Sequence, residues 1–161
     1  MRPRGHGHDE SQPWATLVAI GAKRIETRSW PTRYRGPLAI HAAKGFPKWA
    51  RDFTMEPACY ESVKALGYKT REWFPAYPLG AVLATCTLVD CVQMRELNYR
   101  DEDGDVEGIL GRYTYMIAGR SRERAFGDYS MGRWAWILSE VKCFEQPVPA
   151  KGALGLWEWN Q

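Results

Sequence analysis

The longest apolar run of this 161-residue chain, Ala81 to Val92, is broken only by Thr85, Thr87 and Asp90. Rich in Val, Ala and Thr, the stretch from Leu79 to Val92 reads as one long buried strand. It falls well short of the roughly 20 uninterrupted apolar residues that a membrane helix needs. The opening MRPRGHGHDE has no apolar stretch and does not resemble a secretory signal.

Shorter segments surround that strand. Residues 1–10 are polar, with Gly and His, and read as a disordered tail; the domain is expected over 11–161. A weak metal-holding role for Gly5-His6-Gly7-His8 is the lesser reading. Ser11 suits an N-cap and Pro13 a first helical turn, with Trp14, Leu17 and Val18 on one helical face and Gly21 as the left-handed cap. A strand fits Arg24 to Trp30, where alternation puts Glu26, Arg28 and Trp30 on one face. Tyr34 to Pro37 is turn chemistry, followed by a strand over Leu38 to Ala42 with Leu38 and Ile40 inward. Pro47 to Leu66 reads as two short helices broken at Pro57 and closed by Gly67. The segment from the acidic run 101–107 to Tyr129 reads as a long loop with one helical turn. Arg133 to Phe144 reads as a strand, Pro147 and Pro149 as a turn, and Ala153 to Trp159 as the last strand. Strands outnumber helices without β-α-β alternation, so the expected class is α+β: a small β-barrel with short peripheral helices.

The net charge is only +3, yet its distribution is uneven. Between Lys23 and Arg51 there are eight basic residues and one acid, Glu26, while five acids gather at 101–107. Trp30, Tyr34, His41, Phe46 and Trp49 lie within the basic span, and the chain holds 8 Trp in all. Cations neutralise phosphates and aromatic faces stack on unpaired bases, a pairing suited to single-stranded nucleic acid or a nucleotide. Large side chains filling a core are the alternative use of so many Trp. The four cysteines form no C-x-x-C pair, so neither a zinc site nor a redox motif is expected, and a reducing cytoplasm is the expected compartment. No cofactor or metal is implied.

The sharpest local feature is Gly21-Ala22-Lys23-Arg24-Ile25-Glu26-Thr27-Arg28-Ser29-Trp30. A surface ion-pair ladder is its simplest reading. The functional reading has Glu26, flanked by Lys23 and Arg28, staying ionised as an acceptor or base, with Lys23 binding an anion or, if desolvated, acting as an acid, base or nucleophile. His41, on the neighbouring strand, is a further candidate polar group.

These residues resemble the ASCH domain (activating signal cointegrator homology), a branch of the PUA-like barrels. The resemblance rests on Gln12-Pro13-Trp14-Ala15, on G-x-K-x-x-E-x-R-S-W at 21–30, and on Tyr34 to Leu38 with Ile40-His41-Ala42. It continues in Phe126-Gly127-Asp128-Tyr129, Gly132 to Trp136, and Lys151-Gly152 to Leu156-Trp157. It implies a barrel whose cleft is lined by Lys23, Glu26 and Arg28, in a family regarded as RNA- or nucleic-acid-binding. One branch resembles an amidohydrolase acting on N4-acetylcytidine, with threonine where this chain has Glu26; nuclease activity is attributed to other relatives. Relatives also begin with a short apolar strand, whose place is taken here by RGHGHDES. Either the barrel has one strand fewer or the chain begins downstream of the usual start; an open edge would then need covering by a second copy, making a homodimer an expectation.

The leading expectation is thus a module binding RNA, single-stranded nucleic acid or a modified base. Its ligand-binding candidates are Trp14, Lys23, Glu26, Arg28, Trp30, Arg35, His41 and Arg133. Trp14 or Trp30 would stack on the base, Lys23 and Arg28 would hold phosphate or ring oxygens, and Glu26 would accept from an exocyclic amine. The alternative is a hydrolase acting on RNA or a modified nucleoside, with Lys23 and Glu26 catalytic. A protein-interaction domain with a structural Trp core is the third reading.

Overall fold

A computed structural model describes residues 5–64, 77–95, 111–119 and 121–160. Its elements are β1 (Gly5–Glu10), α1 (Trp14–Ala19), β2 (Ile25–Arg28), β3 (Gly36–Ala42), α2 (Lys48–Phe53), α3 (Pro57–Lys64), β4 (Ala81–Gln93), a 3-10 helix (Gly111–Met116), α4 (Arg122–Ala125), β5 (Trp134–Pro149) and β6 (Leu156–Trp159). The acidic run 101–107, Trp73 and the expected closing Gly67 lie outside the described residues.

All six strands join one sheet in the order β2-β5-β4-β3-β1-β6, so the class is α+β. Only β1 and β3 run parallel; the other ladders are antiparallel. Among the described residues no ladder joins β2 to β6, and the expected barrel is here a curled mixed sheet. The curl is deep. Arg28, on the outermost strand, donates through Nη2 to the Asp9 carbonyl at 2.9 Å, although three strands separate β2 from β1 in the order.

The strand β1 overturns the expectation of a disordered start. Glycine and aspartate are poor strand formers, which hid a period-two pattern in Gly5-His6-Gly7-His8-Asp9-Glu10. Trp157 explains Gly7: a methyl there would lie 2.3 Å from the indole, so only glycine lets β6 pair with β1. Two neighbours, β3 and β6, supply the backbone partners that weak propensity does not. With β1 in place, the edge that motivated a second copy is already paired.

Most other elements follow the pattern of the chain. Gly21 takes φ 79°, its N–H donating to the Val18 carbonyl at 2.9 Å, and this turn directs the chain from α1 into β2. Ser11 is not the cap of α1; the buried Gln12 instead accepts from the Thr16 N–H at 3.1 Å and donates to the Pro78 carbonyl at 2.8 Å. Pro57 separates α2 from α3. The expected turn at Pro147 and Pro149 is absent because β5 runs straight through it, pairing Val148 and Pro149 with Val82 and Ala81. Proline is tolerated where a strand nears its end and needs few ladder donors. Upstream, β5 bulges against β4: Glu140 sits at φ 52°, and its carboxylate accepts from the Thr87 hydroxyl at 2.8 Å.

The main core lies between α1 and the sheet, where Ala15, Val18, Leu38, Ile40, Leu83, Leu88 and Leu138 pack around a fully buried Trp136. A second cluster, Ile25, Met94, Ile117 and Ile137, closes the β2 side. A third joins Leu17, Cys59, Val63 and Phe126 beneath α3. No described helix is long and apolar enough to cross a membrane.

Candidate functional site

The curl of the sheet brings Glu26 and Arg28 of β2 against His8 and Glu10 of β1, and Glu10, Glu26 and Arg28 line the floor of a cleft of about 510 Å³. One wall is aromatic. Trp14 at the start of α1 stacks on Phe53 (ring centroids 4.7 Å apart, planes 19° apart) and touches Trp49 at 5.5 Å. Trp49, on α2, is 62% exposed, so its ring is available to the cleft. The opposite wall is the segment Ala125 to Asp128, with Thr27 and Arg133.

Arg28 organises the floor. Its Nη2 lies 2.5 Å from His8 Nε2 and 3.7 Å from a Glu10 oxygen, and its Nε lies 3.1 Å from a Glu26 oxygen. Burial, followed by the Arg28 charge, holds His8 down to about 4. The ring is therefore neutral at physiological pH, and its Nε2 accepts from the guanidinium. His8, Glu10 and Glu26 present ligand-type atoms within 4.8 Å of one another, the donor set of a metal site. The guanidinium lies among those atoms, so arginine supplies the positive charge that an ion would bring.

Lys23 is 1% exposed and fully engaged. Its ammonium donates to the Ile25 carbonyl and, at 3.3 Å, to the Phe126 carbonyl, and it lies 3.5 Å from Glu26. Those three acceptors match its three N–H donors. Glu26 departs from the expectation that flanking cations keep it ionised. Burial pushes it up to about 7, the neighbouring Glu10 adds to the rise, and Lys23 and Arg28 oppose it only in part.

Backbone tethers hold β2 in position. The buried Glu123 carboxylate accepts from the Arg24 N–H at 2.7 Å and the Ile25 N–H at 3.0 Å, with Ser121 capping the short α4 that carries it. Thr27 Oγ1 accepts from the Asp128 N–H at 3.1 Å, and a methyl on Gly127 would come within 3.0 Å of Thr27 and Tyr129. Phe126-Gly127-Asp128-Tyr129 is thus the segment that packs against β2 and receives Lys23.

Of the residues singled out in the sequence, Trp14, Lys23, Glu26, Arg28 and Arg133 line this cleft. Arg133 is partly used, lying 3.2 Å from Asp128 and donating to the Thr27 carbonyl at 3.3 Å. Three others sit elsewhere. Trp30 packs edge-on against Trp136 at 4.8 Å, as part of the core. Arg35 pairs with Asp90 at 3.1 Å on the surface. His41 is buried between Asp9, 2.8 Å from its Nδ1, and the Ala150 carbonyl, 2.9 Å from its Nε2, where it ties β3 to the segment before β6. Glu10, Phe53 and Glu123 were not anticipated; Trp49 was noted only as one aromatic of the basic span, and His8 only in the lesser metal-holding reading of Gly5 to His8. For His8 and Glu10 the available signal was the alternation of His6, His8 and Glu10.

Residues 11–148 match the ASCH domain family. Over 92 residues the chain is 35% identical to activating signal cointegrator 1 of Mus musculus and 34% identical to that of Homo sapiens. The shared stretch covers 57% of this chain and 15% of either relative, so the chain corresponds to a small part of each.

Proposed function

The chain belongs to the ASCH domain family, and from that premise we propose that it binds single-stranded nucleic acid, RNA foremost, by taking one nucleotide into the cleft above Arg28. One observation carries the reading: an aromatic wall, the half-buried Trp14 and Phe53 with the exposed Trp49, lies in one cavity of about 510 Å³ with the polar, arginine-bearing floor. That size falls in the range of small-ligand sites, roughly 300–1,000 Å³. The wall offers a stacking face to a base, worth about 1–3 kcal/mol. The partly exposed Arg28 and Arg133, both lining the cleft, supply positive charge that would attract the phosphates.

Lys23 lines the cleft but serves in this scheme to hold the floor together, since its donors are already occupied. The same occupancy weighs against the hydrolytic alternative, which needs Lys23 free as a base or nucleophile. A short oligouridylate titrated against the full chain tests the reading. Binding that quenches tryptophan fluorescence, weakens with added salt and is lost in Trp49→Ala is the expected result. Binding that is insensitive both to salt and to Trp49 would refute it.

A further inference from the structure

We propose that the bound strand runs out of the cleft over a cationic rim of Arg24, Arg122 and Arg124, so that the ligand is a single-stranded oligonucleotide rather than a free nucleoside or mononucleotide. The inference rests on the nucleic-acid reading and names the class of ligand that site takes.

The rim is assembled from two distant parts of the chain. Arg24 immediately precedes β2, between Lys23 and Glu26, which line the cleft. Arg122 and Arg124 lie on α4, whose last residue, Ala125, lines the cleft as well. Glu123 joins the two parts, its buried carboxylate accepting from the Arg24 N–H at 2.7 Å and the Ile25 N–H at 3.0 Å. With about 100° between successive residues of a helix, Arg122 and Arg124 leave α4 on either side of the inward Glu123. All three arginines are exposed. Among the described residues, no ion pair or hydrogen bond engages the side chain of Arg24 or Arg122.

The exposed charge here has one sign. Glu123, the acid between the two arginines of α4, is buried and engaged with backbone N–H groups. Lys23 is buried beside Glu26, and at the far end of the same wall Asp128 lies 3.2 Å from Arg133. None of the three rim arginines lines the cavity itself. A nucleotide seated in the cleft brings one phosphate, which the partly exposed Arg28 and Arg133 are there to meet. The rim charges lie beyond it, and only a continuing strand carries further phosphates to them. Like charges gathered at one edge also raise the local concentration of a polyanion and speed its arrival.

The test titrates uridine 5′-monophosphate and hexauridylate against the full chain over a range of salt. The wild type is expected to bind the hexamer roughly tenfold or more tightly than the monomer, with the steeper salt dependence. Each phosphate neutralised on a single strand contributes about 0.7 to the slope of log affinity against log salt. Arg24→Gln combined with Arg122→Gln should therefore lower the hexauridylate slope by about 0.7 for each arginine, and weaken binding about fivefold for each at about 0.1 M salt. Tryptophan quenching at saturation should stay at the wild-type level, showing the cleft intact. Lys142→Gln, which removes an exposed charge on β5, should leave the slope unchanged. Equal affinity for monomer and hexamer, an unchanged slope in the double variant, or a fall in Lys142→Gln as large as one arginine's would overturn the rim and leave the cleft reading standing. Loss of quenching in the double variant would also overturn it, by making the arginines supports of the cleft. No binding of either ligand by the wild type would overturn both.

Discussion

Two buried groups, Glu26 on β2 and His8 on β1, give the folded chain opposite dependences on pH, and separating them is a quantitative test of the floor. Glu26 is raised from 4.5 to about 7, so the fold favours its protonated form. Its contribution to stability is complete below pH 4.5 and is lost as pH rises to about 7. At about 1.36 kcal/mol per pH unit, that loss amounts to about 3 kcal/mol. His8 is lowered from 6.5 to about 4, so the fold favours its neutral form. Its contribution is complete above pH 6.5 and is lost on acidification toward pH 4, again by about 3 kcal/mol. Between pH 4.5 and 6.5 the two slopes have equal size and opposite sign, and their effects cancel in the wild type.

Single variants expose them. Urea unfolding of wild type, Glu26→Gln and His8→Gln across pH 4 to 8, read as differences at each pH, removes the background of all other groups. Glu26→Gln should gain about 3 kcal/mol on the wild type as pH rises from 4.5 to 7. His8→Gln should gain a similar amount, about 3 kcal/mol, as pH falls from 6.5 to 4. Differences that do not vary with pH would refute the burial and charge argument for both groups.

Other perturbations test other parts of the structure. Gly7→Ala drives a methyl into the Trp157 indole, and thermal unfolding should show a loss of about 2 kcal/mol, within the range for overpacking. Glu123→Ala strands the Arg24 and Ile25 N–H groups and should destabilise by about 2–6 kcal/mol in urea unfolding, at about 1–3 kcal/mol for each unsatisfied group. Trp49→Ala should leave stability within about 0.5 kcal/mol, because the ring is largely exposed, while weakening oligouridylate binding about tenfold.

Much of the fold was legible because its signals are local. Gly21 at φ 79°, the break at Pro57 and the inward Leu38 and Ile40 each follow from one residue's conformational or solvation preference. What escaped depends on partners far along the chain. The residues of β1 are poor strand formers, and only the Trp157 ring across Gly7 and the ladders to β3 and β6 make a strand of them. The extension of β5 through Pro147 likewise depends on β4 as a partner.

The same division runs through the site. Alternation placed Glu26 and Arg28 together, since both lie on one short strand. That Glu26 is buried, with Glu10 facing it, and is raised by both rather than left ionised, depends on the curl that carries β2 around to β1. Trp30 shares the alternation of Glu26 and Arg28, but β2 ends at Arg28 and the indole turns to Trp136 instead. His41 and Arg35 were drawn to partners that only the folded chain supplies, Asp9 and Asp90.

The most direct measurement is an NMR titration of the tryptophan indole N–H signals with a short oligouridylate. A nucleotide seated against the aromatic wall predicts upfield shifts for Trp14 and Trp49, with Trp30 and Trp136 unmoved. Saturable binding that leaves Trp14 and Trp49 unchanged, or that shifts Trp157 and Trp159 instead, would contradict the cleft as the binding site.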